Sequence, residues 1–159
     1  MDIKKASKLG AKDNTVFLIS SDKDISAKEF SKDEIIYIKK ELKAEHKQIE
    51  INRLTNIVYI VLLEKDSDYK AAEKARIAAS ILTTTLNKAK IKAISIVSDL
   101  ELTAPFIEGI ALSNYQFLKY FSDKKTNTLT SIQVLGVIKA ATIEEIQNTV
   151  VATNYAKDL

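Results

Sequence analysis

The 159-residue chain contains no cysteine. That excludes disulfides, thiolate zinc sites and cysteine nucleophiles together. A reducing cytoplasm is the simplest expected location for such a chain. Glycine and proline are scarce, at three and one, against average usage of ~7% and ~5%. No Pro/Gly linker, low-complexity stretch or internal repeat divides the sequence, so a single domain is expected over residues 1–159. Arginine occurs only at Arg53 and Arg76 and histidine only at His46. The other 22 basic residues are lysines, and 21 acids bring the net charge to +3. Nucleic-acid sites favour the planar arginine fork, so this balance argues against a nucleic-acid partner. No apolar run approaches the ~20 residues of a membrane-spanning helix, so no membrane association is expected. The start, Met1 to Lys8, is charged and lacks the apolar core of a secretory signal.

What is present is an ordinary globular composition, 46% apolar and 28% charged. A chain of this length buries about 70% of its unfolded surface and can hold a core without staples. Strand and helix patterns alternate. Thr15–Ser20 is a short apolar run. Ser31 and Glu34 form a capping box for a helix with Ile35, Ile36, Ile38 and Leu42 as its stripe. Ile49, Ile51 and Leu54 suggest a short strand. Residues 57–63 form a continuous β-branched run, expected to be central and covered on both faces. Asp66 or Ser67 caps a long alanine-rich helix to about Lys88. Residues 93–97 read as the next strand. Thr103-Ala104-Pro105 opens a helix expected to reach about Phe121. Residues 132–138 read as a strand, and Thr142 with Glu145 as the capping box of a last helix that stops without a terminator. This alternation predicts a three-layer α/β domain.

The search for chemistry yields no catalytic set. A phosphate cradle at the strand ends needs glycine, but Gly10, Gly109 and Gly136 are the only three. Gly109 falls inside a helix pattern and Gly136 inside a strand. The turns are acidic instead, with Glu64, Asp66 and Asp68 after one strand and Asp99 and Glu101 after the next. These read as helix caps and first-turn partners of the helix dipole. His46 reads as a solvated helix-end residue. Asp22-Lys23-Asp24 and Asp66-Ser67-Asp68 lack the glycine and distal glutamate of a calcium loop. Glu144-Glu145 belongs to a helix start. Thr83-Thr84-Thr85 lies inside a helix, where hydroxyls bond back to the preceding turn. Tyr115, Phe117, Tyr120 and Phe121, with Lys119, Lys124 and Lys125 nearby, could stack on bases. Their spacing fits packing better, with one edge left for a neighbouring domain or subunit. No catalytic, cofactor-binding or metal-ligating residue is therefore assigned.

Three segments, in order, resemble one family. Residues 76–82, Arg-Ile-Ala-Ala-Ser-Ile-Leu, precede a strand in a way that resembles the long helix of the leucine (cytosol) aminopeptidases. Residues 106–120 are similar to that family's Glu-Gly-Leu-x-Leu-Gly-x-Tyr-x-Phe segment, with Glu108-Gly109 in register. They depart from it at Ser113 and Gln116, where the family prefers glycine and arginine. Residues 152–159 resemble the helix that leads into the family's catalytic domain. The resemblance implies a macrodomain-like mixed sheet flanked by helices on both faces. It implies the non-catalytic N-terminal domain of a metal-dependent leucyl aminopeptidase, an exopeptidase releasing N-terminal amino acids. Zinc or manganese would belong to a separate catalytic domain whose motifs are absent from this chain. The implied partners are that catalytic domain and sister subunits of a homo-oligomer. The alternative is a stand-alone macrodomain-like module binding ADP-ribose, a nucleotide or nucleic acid.

Overall fold

The computed structural model describes residues 1–122 and 125–159. Six strands form one mixed sheet: β1 (Asp2–Lys5), β2 (Thr15–Ile19), β3 (Gln48–Asn52), β4 (Ile57–Leu62), β5 (Ala93–Ser98) and β6 (Ser131–Gly136). Four α-helices accompany them: α1 (Lys32–Lys43), α2 (Asp68–Lys88), α3 (Thr103–Ser113) and α4 (Ala140–Asp158). The strand order is β1-β6-β5-β2-β4-β3. Among the described residues only β3 is antiparallel, paired with β4 as Ile49↔Ile60 and Ile51↔Val58.

Connection handedness explains how the helices divide. The path β2-α1-β3-β4 moves toward one edge, while β4-α2-β5 and β5-α3-β6 move toward the other. Parallel crossovers are right-handed, so opposite directions place helices on opposite faces. α1 packs with Phe17, Ile19, Val58 and Ile60 on one face. α2, α3 and α4 pack with Val16, Leu18, Tyr59, Val61 and Ile132 on the other. β4 is accordingly covered on both faces, as its unbroken apolar sequence predicts.

Local chemistry sets the boundaries. At α1, Ser31 Oγ accepts from the Glu34 amide at 3.2 Å and Glu34 Oε2 accepts from the Ser31 amide at 2.9 Å. Arg53, just beyond β3, forks onto the same Glu34 carboxylate at 2.7 and 2.8 Å. It also donates to the Glu29 carbonyl at 2.7 Å. α1 is thereby tied to the β3–β4 hairpin by a bidentate, charge-assisted pair.

Several expectations need correction. Leu54 is not part of β3. It sits exposed in the hairpin turn at φ 68°, its amide bonded to Asn52 Oδ1 at 2.8 Å. α3 ends at Ser113, not Phe121. Side-chain amides pull the chain out of the helix there: Asn114 Nδ2 donates to the Leu129 carbonyl at 2.9 Å, and Gln116 Oε1 accepts from the Asn127 amide at 2.6 Å. Such bonds offer the backbone an alternative to the next helical turn. α4 begins at Ala140, so Thr142 lies inside it and makes no cap; Lys139 is the cap residue, with no side-chain bond. Two alanines, the best helix formers, extend the helix upstream. Ser67 occupies the cap position of α2 without a side-chain cap bond. β1 carries no sequence signal, because Ile3 is its only buried residue. Its structure comes from pairing with β6, Ile3↔Ile132.

Candidate functional site

In an open α/β sheet, ligands bind beyond the carboxyl ends of strands where the connections diverge. Here that point lies between β2 and β5. A crevice of about 270 Å³ opens there, and Asp24, Glu29, Phe30, Ser98 and Asp99 help to line it. One of its lining residues, Asp24, is held by neighbouring donors. Asp24 Oδ2 accepts from the Ser20 amide at 2.6 Å, the Ser20 hydroxyl at 2.8 Å and the Ser21 amide at 3.2 Å. The Ser20 amide bond is the main reason the Asp24 carboxyl titrates below its ordinary range. A carboxylate thus occupies the Ser20 and Ser21 amides, which are not free for an incoming anion. Gly136 closes the neighbouring strand end. At φ 121° it approaches the Ser98 carbonyl so closely that a built Cβ would lie 1.8 Å away, and its freedom serves this packing.

Of the acids after β4, Glu64 and Asp66 are paired with lysines. Lys47 Nζ lies 2.9 Å from Glu64, and Lys74 Nζ lies 2.8 Å from Asp66 and 3.8 Å from Glu64. These lysine bonds lead the downward shift of both carboxyls, Lys47 for Glu64 and Lys74 for Asp66. Asp66 also accepts from the Ser67 amide at 2.8 Å. His46 is exposed at the end of α1, its Nδ1 2.6 Å from Glu41 Oε2. Asp22 and Asp24 belong to a one-turn 3₁₀ segment capped by Ser21. Thr83, Thr84 and Thr85 bond back to the carbonyls four residues earlier at 2.8, 3.2 and 3.2 Å. Among the described residues, no group of three or more histidines and carboxylates could hold a metal ion. The described residues therefore do not fit a metal centre.

The Glu108-Gly109 pair has a packing role. Arg76 of α2 reaches Glu108 Oε2 with Nε and Nη2, both at 2.8 Å. Beside it, a Cβ built on Gly109 would lie 2.7 Å from the Arg76 Cα and 2.9 Å from the Arg76 carbonyl oxygen. Glycine lets α3 lie directly on the α2 backbone. Ser113, where the resemblance departs, uses its hydroxyl on Thr83 Oγ1 and the Ile110 carbonyl, both at 3.1 Å. Asn87 of α2 completes this face. Its Nδ2 donates to Asn114 Oδ1 at 2.9 Å, and its Oδ1 accepts from the Thr128 and Leu129 amides at 2.8 and 3.1 Å. No single motif announced this network, which joins residues far apart in sequence.

The aromatic run overturns the packing expectation. Residues 115–121 form a loop, and Phe117, Tyr120 and Phe121 are exposed, Tyr120 at 79%. Phe117 and Tyr120 meet edge-on at 5.6 Å. Lys119 lies over Tyr120 and Lys157 over Tyr115, at 5.8 and 5.0 Å from the ring centres. Lys124, read from sequence as a neighbour of this run, lies outside the described residues. Tyr115 anchors the loop to α4 by donating to Asp158 Oδ1 at 2.6 Å, a bond that pushes its hydroxyl up to about 12. α4 itself has two apolar stripes. Ile143, Ile146 and Val150 are buried, whereas Val151, Tyr155 and Leu159 recur every four residues on the solvent side. Exposed apolar clusters of this kind mark contact surfaces.

Compared by sequence, the chain matches no family model and no curated protein. Compared by structure, it matches a point mutant of tomato leucine aminopeptidase with a TM-score of 0.65 at 13% identity, covering 95% of this chain and 36% of that one. It matches the bottromycin maturation enzyme BotP in complex with Mn at 0.63 and 16% identity, covering 94% of this chain and 32% of the other. A second BotP structure gives 0.61 and 15%, covering 92% and 32%. The shared property is the fold. The chain spans about a third of the length of the solved structures that it matches. The α/β three-layer arrangement, with a six-stranded mixed sheet and four helices, is consistent with a macrodomain-like fold. No helix among the described residues is long and apolar enough to cross a membrane.

Proposed function

We propose that this chain is the N-terminal, non-catalytic domain of a metal-dependent leucyl aminopeptidase, and that it supports assembly of that enzyme. The observation that carries the reading is the asymmetry of the structural match, nearly all of this chain against a third of an aminopeptidase. The catalytic two-thirds would supply the metals, whose chemistry is Lewis-acid polarisation of the scissile carbonyl and activation of water. This chain's contribution is surface. The solvent-side stripe Val151-Tyr155-Leu159 and the aromatic loop pinned to α4 through Tyr115 offer an apolar face to the catalytic domain or a sister subunit. At the strand ends Glu64 and Asp66 are held by lysines, and Asp24 holds the Ser20 and Ser21 amides.

The test is hydrolysis of leucine amide by the purified chain, with and without zinc or manganese. No turnover is expected under either condition. Metal-dependent turnover that co-purifies with this chain would overturn the reading.

A further inference from the structure

The two edges of the sheet are built differently. β1, at one edge, reads Asp-Ile-Lys-Lys, with Lys4 and Asp2 paired at 2.8 Å. Charged side chains, lysines above all, guard an edge against pairing. β3, at the other edge, reads Gln-Ile-Glu-Ile-Asn and carries a single charge, Glu50. Among the described residues, no strand lies beside its outer backbone groups. Apolar side chains flank it on both faces. On one side Ile77 and Ile81 of α2 are more than half exposed. They wall an apolar groove of about 240 Å³ whose floor includes Val61, Leu63 and Ala75 and which reaches Gln48. Gln48 Nε2 touches Thr85 Oγ1 at 3.3 Å, so α2 borders β3 directly. On the other side Tyr37 of α1 is exposed. It shares a helix face with Glu34 and Glu41, and Glu34 is bound to Arg53 at the end of β3.

We propose that the β3 edge is a self-association surface: two copies of this chain pair β3 antiparallel about a two-fold axis, joining their sheets into one. Such an axis stands perpendicular to the sheet and keeps each face on its own side, so residues of the same parity oppose each other. With Glu50 on the axis, two carboxylates would meet, which is unfavourable. With Ile51 on the axis, the isoleucines of α2, which stand at the Gln48 end, would be carried apart. With Ile49 on the axis, Gln48 of each copy lies opposite Glu50 of the other, a side-chain amide facing a carboxylate twice over. That register also brings the Ile77/Ile81 walls together. The occupant is a second copy because the edge sets its one carboxylate, Glu50, opposite the Gln48 amide of the other copy and offers unpaired backbone groups on both sides.

The test is the solution mass of the chain by light scattering or sedimentation across a micromolar concentration series. The expected result is twice 17.7 kDa. The double variant Ile77→Asp/Ile81→Asp should return the mass to 17.7 kDa with an unchanged circular dichroism spectrum, since both positions are exposed. The absence of cysteine allows the register to be read directly. A Gln48→Cys chain mixed with a Glu50→Cys chain should cross-link on mild oxidation, whereas Glu50→Cys alone should not. A wild-type mass of 17.7 kDa throughout would overturn the proposal. A dimer that survives both aspartates, or efficient cross-linking of Glu50→Cys alone, would do the same.

Discussion

Gly109→Ala measures how tightly α3 is held on α2. A methyl group at this position would meet the Arg76 Cα at 2.7 Å, the Ala79 Cβ at 2.9 Å and the Arg76 carbonyl oxygen at 2.9 Å. Two of the three obstacles are backbone atoms, so no rotamer change relieves the clash and the helices must separate. Overpacking of this kind costs about 1–3 kcal/mol, and backbone obstacles favour the upper end. Replacing a mid-helix glycine by alanine returns about 1 kcal/mol of helix propensity. The net expectation is a loss of about 2 kcal/mol. For a chain of this size each kcal/mol moves the midpoint by ~2–4 °C, so the Tm should fall by roughly 4–8 °C. Thermal and urea unfolding followed by circular dichroism would measure it, with an unchanged urea slope confirming a two-state comparison. A variant as stable as the wild type, or more stable, would refute the claim that glycine is required for this helix contact.

Three other outcomes are expected. Arg53→Ala should flatten the acid limb of the stability curve. Arg53 is the main cause of the lowered Glu34 pKa. A lowered carboxyl contributes stability that is full above its unfolded value of 4.5 and is lost as pH falls through the folded one. Urea midpoints between neutral pH and acid would show a shallower decline in the variant. Asn87→Ala should cost about 2 kcal/mol, because the buried Leu129 segment loses its acceptor, and hydrogen exchange at the Thr128 and Leu129 amides should accelerate. Calorimetry with ADP-ribose should show no binding to the wild type, because the Asp24 carboxylate holds the Ser20 and Ser21 amides; measurable heat of binding would refute that assignment.

Much of the strand and helix order was legible in the sequence because it depends on local patterns. The Ser31/Glu34 capping box formed as read, since both partners lie within one turn. The run from Ile57 was legible as a covered strand because two buried faces leave no polar alternation. Glu108-Gly109 was legible as a motif, but its role was not, because Arg76 lies 32 residues away in the chain. The end of α3 was misplaced for the same kind of reason. The bonds that turn the chain at Asn114 come from Asn87, Asn127 and Leu129, and no window around residue 114 contains them all.

The sequence by itself determined the α/β class, the lack of cysteine chemistry and the scarcity of glycine at the strand ends, because each follows from composition or short-range periodicity. Tertiary structure decided the rest. It made a strand of Asp2–Lys5 by supplying β6 as a partner. It turned an aromatic run expected to pack into an exposed loop pinned by Tyr115 to Asp158. It also left one sheet edge guarded by lysines and the other open between isoleucines and a tyrosine. Strand pairing and surface exposure depend on what the folded chain brings alongside, and that information is not local.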